Sequence, residues 1–169
     1  LELEADKVPS LTYLTLVDAP AAAKISAAGV GEEITVALGH TLSIDDGAPI
    51  TVTARVRAIT DGVFTMGAGL AGAETHFGLT AVLAIGSLRV AVRSVSGLEW
   101  DTGQYSSVGL ELAQAGLIFV KSPSHFRATF GPYADRILTA DTPGATRVNI
   151  RQVAYKNVIR PIHPLDVFD

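Results

Sequence analysis

Apolar and polar residues alternate most regularly from Ile50 to Ile59. Ile50, Val52, Ala54, Val56 and Ala58 fall on one side, and Thr51, Thr53, Arg55 and Arg57 on the other. A period of two predicts a strand with one face buried and one in water. Leu11–Val17 alternates over β-forming residues and predicts another strand. Asp18-Ala19-Pro20 then reads as a cap and a helix start. Ala21–Ala28 has high helix propensity, and Gly29 supplies the stop. Glu33–Leu38 predicts a further strand. Ala81–Ile85 and Leu88–Val95 flank Gly86-Ser87, a two-residue hairpin turn. Asp45-Asp46-Gly47 and Asp61-Gly62 are turn signals. Gly103–Ala113 accommodates one short helix.

Toward the C-terminus the period changes. Leu117–Val120 is a continuous apolar run, the pattern of a strand buried on both faces. From Pro123 to Ile137, Phe126, Phe130, Tyr133 and Ile137 keep to one helical stripe. Asp141-Thr142-Pro143-Gly144 is a turn. Arg160-Pro161-Ile162-His163-Pro164-Leu165-Asp166 suits neither helix nor central strand and predicts a surface strap. The fold class is therefore α/β: a mixed sheet with a β-hairpin-rich insertion, helices packed on the sheet, and an extended C-terminal strap. Residues 1–9 form a polar lead-in, and 10–169 form one domain with a β-rich middle at about 33–95.

Composition narrows the classes. Of 169 residues 48% are hydrophobic and 18% charged, enough for a sizeable core. The net charge of −4 gives no reason to expect nucleic acid. There is no cysteine, so disulfides and thiolate metal sites are excluded and a reducing, cytoplasmic location is expected. No apolar run approaches the roughly 18 residues of a membrane span. The start at Leu1 carries neither methionine nor a leader pattern, and reads as a piece of a longer protein.

The candidate chemistry gathers at Val120-Lys121-Ser122-Pro123-Ser124-His125-Phe126-Arg127. Ser122 suits an N-cap and Pro123 the first helical position. Free first-turn amides beside Lys121 would cradle an anion, with His125 at the third helical position. The bland alternative is an ordinary helix start. Gly67-Ala68-Gly69-Leu70-Ala71-Gly72 matches a dinucleotide pattern, but no helix follows it, so it reads as a hairpin loop. His40, His76, His125 and His163 show no metal-binding spacing. Lys121 and Ser122 are adjacent on an extended chain and make a poor Ser-Lys pair. Asp101, beside Trp100 and Tyr105, reads as a turn and core residue.

Val120-Lys121-Ser122 with His125-Phe126-Arg127 and Phe130, then Asp141–Thr146, then Arg160–Asp166, resembles the C-terminal domain of MlrC-type proteins. This microcystinase C, or microcystin-degradation, family is assigned to the zinc metallopeptidases. Asp18–Gly31, Val52–Gly62 and Thr80–Leu83 extend the resemblance over nearly the whole chain. The resemblance implies a hydrolase of peptides or small amides whose zinc and catalytic acid/base lie on an N-terminal domain or separate subunit. No metal or cofactor is expected in this chain. Lys121, Ser122, His125 and Arg127 carry the motif and are the expected substrate-binding residues; no catalytic residue is assigned. The alternative is a non-catalytic module for small-anion binding or assembly, with homo-oligomers open.

Overall fold

The computed structural model describes residues 10–39, 41, 48–67, 70–122, 124–142 and 149–167. The chain divides into two compact units, Leu1–Asp135 and Arg136–Asp169.

The first unit is built on a six-stranded mixed sheet. Its strands are β1 (Thr12–Val17), β2 (Glu33–Leu38), β3 (Ile50–Thr60), β6 (Thr80–Ile85), β7 (Leu88–Arg93) and β8 (Leu117–Ile118). They lie in the order β2-β3-β6-β7-β1-β8. A separate hairpin pairs β4 (Val63–Thr65) with β5 (Glu74–His76). From β2 to β7 the six-stranded sheet is antiparallel, while β7, β1 and β8 run parallel. The helices are α1 (Ala19–Ala28), α2 (Gly103–Ser106) and α3 (Phe126–Phe130).

The period-two pattern sets the faces. In β3, Val52, Ala54 and Val56 are buried while Thr51, Thr53 and Arg55 are exposed. Past Val56 the pairing with β6 shifts register, and the clean alternation ends at Ala58 and Ile59. One sheet face joins Val36, Val52, Val56, Leu83, Val90 and Val92 to Ala21, Ala22 and Ile25 of α1. The opposite face joins Tyr13, Val82 and Ala91 to Tyr105 of α2, Leu112 of a 3-10 turn (Leu112–Gln114) and Phe130 of α3. Neighbours in β7 thus serve different cores, as strand geometry requires.

Asp18 begins α1 as expected: its Oδ1 accepts from the Ala21 amide at 3.0 Å. Its Oδ2 also accepts from the Gly39 amide at 2.9 Å, tying the end of β2 to the start of α1. Gly86, at φ 53°, opens the β6–β7 turn.

Two expectations are corrected. The apolar run at Leu117–Val120 is not a strand buried on both faces. β8 comprises only Leu117–Ile118 at the sheet edge, with Leu117 and Phe119 exposed. The helix over 123–137 shrinks to Phe126–Phe130, followed by a 3-10 turn at Gly131–Tyr133. Pro132 has no N–H to donate and its ring opposes an α-helical carbonyl. The apolar stripe therefore outlasts the helix. Expectations at His40, Asp45-Asp46-Gly47, Ala68-Gly69, Pro123 and Pro143–Thr146 lie outside the described residues.

The second unit carries a 3-10 turn at Ile150–Gln152, where the Asn149 side chain accepts from the Arg151 amide at 3.2 Å. Arg160–Pro161 and His163–Pro164 are cis. Arg160 pairs with Asp166, whose other carboxylate oxygen accepts from the Ile162 amide at 2.7 Å. The amides of Leu165 and Asp166 both donate to the Ile162 carbonyl. The Arg160–Asp166 segment is thus closed on itself.

No helix among the described residues is long and apolar enough to cross a membrane.

Candidate functional site

β1 and β7 end level, Val17 opposite Arg93, while β8 pairs only with the start of β1, and the chain beyond β8 joins a polar cluster beside them. β1 lies between β7 and β8, so the chain leaves β1 toward one side of the sheet and returns from β7 past it to the other. In open α/β sheets such a divergence opens a crevice beyond the strand ends.

β7 supplies Arg93. Its inward phase matches Ala91, which places a cation on the face shared with Tyr13 and Tyr105. Arg93 is only 1% exposed. It pairs with Glu99, Nη2 to Oε2 at 3.2 Å, and lies 4.0 Å over the Phe77 ring. Its Nη2 also donates to Gln104 Oε1 at 3.1 Å, and Gln104 Nε2 donates to the Glu99 carbonyl at the same distance. Arg93, Gln104 and Glu99 form a closed ring of hydrogen bonds.

Glu99, itself 7% exposed, is the hub. β1 contributes the Thr15 hydroxyl, which donates to Oε2 at 2.6 Å. The segment after β8 contributes Lys121, whose Nζ lies 3.1 Å from Oε1. The carboxylate therefore meets two cations and a hydroxyl. The Lys121 side chain itself is half exposed.

Burial holds the Arg93 guanidinium below the ordinary arginine range, against the opposing pull of Glu99. Burial likewise pushes the Tyr105 hydroxyl well above the usual tyrosine range, with Arg93 acting in the opposite sense. That hydroxyl donates to the Phe119 carbonyl at 2.6 Å, just before Lys121.

The expected substrate-binding residues are partly brought together. Lys121 meets Glu99, and His125 stacks against the next residue, Trp100, with ring centroids 5.5 Å apart. His125 Nδ1 also lies 3.3 Å from Ser124 Oγ. Ser122 follows Lys121 half-buried. Arg127 is exposed and turns to the ring of its neighbour Phe126, 5.1 Å away. The expected cap geometry is corrected: α3 starts at Phe126, so His125 is the N-cap rather than the third helical residue, and Ser122 lies outside the helix. Tertiary contacts set that start. Phe126 and Phe130 enter the core, and the Thr129 hydroxyl bonds the Trp100 carbonyl. A helix of one short turn leaves no amide cradle, and the anion beside Lys121 is the chain's own Glu99.

Arg93, Glu99, Thr15 and Gln104 escape a reading of motifs. One signal was available: Arg93 falls at an inward phase of an apolar strand, where an unpaired charge is untenable. Asp101 is a structural residue, as expected; it accepts from the Gly67 and Gly103 amides at 3.0 and 2.8 Å. The loop after Met66 runs into β5 rather than a helix, which removes the dinucleotide reading. His76 is exposed and pairs with Glu74 at 3.1 Å.

The donors among the described residues do not suit zinc. Among the described residues no three His, Asp or Glu side chains converge on a common point. The two buried carboxylates nearest the site, Glu99 and Asp101, are already engaged by cations, a hydroxyl and amides.

No curated protein matches the chain. Among solved structures, it resembles a protein from Mesorhizobium sp. BNC1 described as "Putative metallopeptidase". The TM-score is 0.82 at 28% identity, over 97% of this chain and 33% of that one. The chain thus spans about a third of that protein's length. The family described as MlrC C-terminus matches residues 1–157, taking in the whole sheet, the Arg93–Glu99–Lys121 cluster and α3. The chain belongs to the MlrC C-terminus family.

Proposed function

We propose that this chain is the C-terminal domain, or a separate subunit, of an MlrC-like zinc metallopeptidase or amidohydrolase. It contributes substrate binding, while the metal is held by an N-terminal domain or partner subunit. The observation that carries this reading is Lys121. Its side chain is half exposed in the segment after β8, with the ammonium 3.1 Å from the buried Glu99 carboxylate. A lysine so placed presents its remaining N–H groups to solvent and suits a carboxylate of a peptide or small amide substrate. Ser122 adds a hydroxyl beside it, and exposed His125, braced on Trp100, adds a ring nitrogen able to hydrogen-bond. Arg127 extends the basic character of the same segment. The work assigned to these residues is binding and orientation, which lowers the entropic part of a hydrolytic barrier. The "Putative metallopeptidase" from Mesorhizobium supports the reaction class.

A second reading has one observation in its favour. Lys121 is already neutralised by Glu99, so the pair also serves as a structural tie in a non-catalytic anion-binding or assembly module. Lys121→Ala separates the two. In the enzyme reconstituted with its metal-bearing part, a clamp predicts a KM for peptide substrates raised about tenfold, the effect of one charge-assisted contact. An unchanged KM and kcat would leave only the structural reading.

A further inference from the structure

We infer that Glu99 is a positioning residue that fixes the Lys121 ammonium, and that Arg93 and Thr15 serve to fix Glu99. The inference rests on the substrate-clamp reading of Lys121 and adds the device that aims it.

A lysine has a long, flexible stem and loses much rotamer freedom when held in one place. An ion pair formed on the surface seldom holds it. Lys121 differs because its partner cannot move. Glu99 is buried, and its Oε2 is held by the Thr15 hydroxyl at 2.6 Å and by Arg93 at 3.2 Å. Its backbone carbonyl is held by Gln104, which is bonded in turn to Arg93. The anchors come from β1, β7 and α2, three separate elements of the fold. Only Oε1 is left to face Lys121, at 3.1 Å.

The charge balance points the same way. Arg93 and Lys121 share the one Glu99 carboxylate, so these three side chains together carry one positive charge, with Lys121 at the exposed end. A carboxylate group arriving from solvent meets that surplus on an ammonium already oriented, so less freedom is lost on binding.

The test uses the 169-residue chain and NMR detection of lysine side-chain ammonium groups, with N-acetyl-Ala-Ala as the anionic probe. The wild type is expected to show a Lys121 ammonium signal whose hydrogen exchange is at least about fivefold slower than in Glu99→Gln, as a charge-assisted bond implies. Thr15→Val, which keeps every charge, is expected to give an intermediate rate and so guards against misfolding of the Gln variant. The probe is expected to shift the Lys121 signal and to bind severalfold more weakly to Glu99→Gln. Equal exchange in the wild type and both variants would overturn the inference. So would a probe that binds Glu99→Gln as well as the wild type. Slow exchange without any probe-induced shift would keep Glu99 as the anchor of Lys121 and remove the clamp reading instead.

Discussion

Removing the Glu99 carboxylate is expected to be among the most damaging single changes in this fold. In Glu99→Ala the Arg93 guanidinium stays 1% exposed, with Gln104 and the Phe77 ring as its remaining contacts. Breaking a buried pair from one side costs ~3–5 kcal/mol, because an uncompensated charge is left in a medium that solvates it poorly. The Thr15 hydroxyl loses its acceptor as well, about 1 kcal/mol that overlaps with the larger cost. Lys121 adds little, since its half-exposed side chain returns to water. A net loss of ~3–5 kcal/mol is a large share of an ordinary domain's 5–15 kcal/mol or so, and corresponds to a fall in Tm of about 10 °C for a chain of this size. Glu99→Gln retains an acceptor and is expected to cost less. The paired replacement Arg93→Met with Glu99→Leu is expected to cost the least, since burial already disfavours the Arg93 charge more than its partner restores it. Urea unfolding followed by the fluorescence of Trp100, the chain's one tryptophan and the residue after Glu99, measures all three. The reasoning fails if Glu99→Ala unfolds within ~0.5 kcal/mol of the wild type, or if the paired apolar variant is as unstable as the single one.

Other expectations concern the ends of elements. Asp18→Ala removes an N-cap and the tie to Gly39, and is expected to cost about 1–2 kcal/mol; amide exchange at Ala21 and Gly39 should speed up together, and unaltered exchange at both would contradict the shared role. The Arg160 hydrogen bond, with the Ile162 amide, holds Asp166 below the usual carboxylate range. A depressed carboxyl stabilises its surroundings above its unfolded pKa, and that contribution is lost as pH falls through the folded value. The Arg160–Asp166 turn is therefore expected to be closed at neutral pH and to open in acid. NMR titration of Asp166 should move upward in Arg160→Gln, and identical titrations in the two proteins would dispose of the pairing.

What could be seen in advance followed the range of the interactions. The β6–β7 hairpin, the Asp18 cap and the Gly86 turn depend on neighbours within a few residues, and the alternation at Ile50–Ile59 marks β3. The stripe of Phe126, Phe130, Tyr133 and Ile137 overstates α3 because it reports which side is apolar, not whether the backbone can continue past Gly131-Pro132. At Lys121 the structure adds a counter-charge, Glu99, that the motif does not contain. Glu99 sits in an irregular segment after β7, so nothing local to Lys121 announces it; only the sheet order brings the two together.

The position of β1 between β7 and β8 has a kinetic consequence. Thr12 aligns with Leu88 on one side and Leu117 on the other, both distant in the chain. The β6–β7 hairpin closes a two-residue turn, whereas β1 can find its ladder only after a long excursion has been ordered. The cluster at its end, drawn from Thr15, Arg93, Glu99 and Lys121, is therefore a late product of folding. A nascent chain stopped before Lys121 would hold all six strands of the sheet and still lack the Lys121–Glu99 pair.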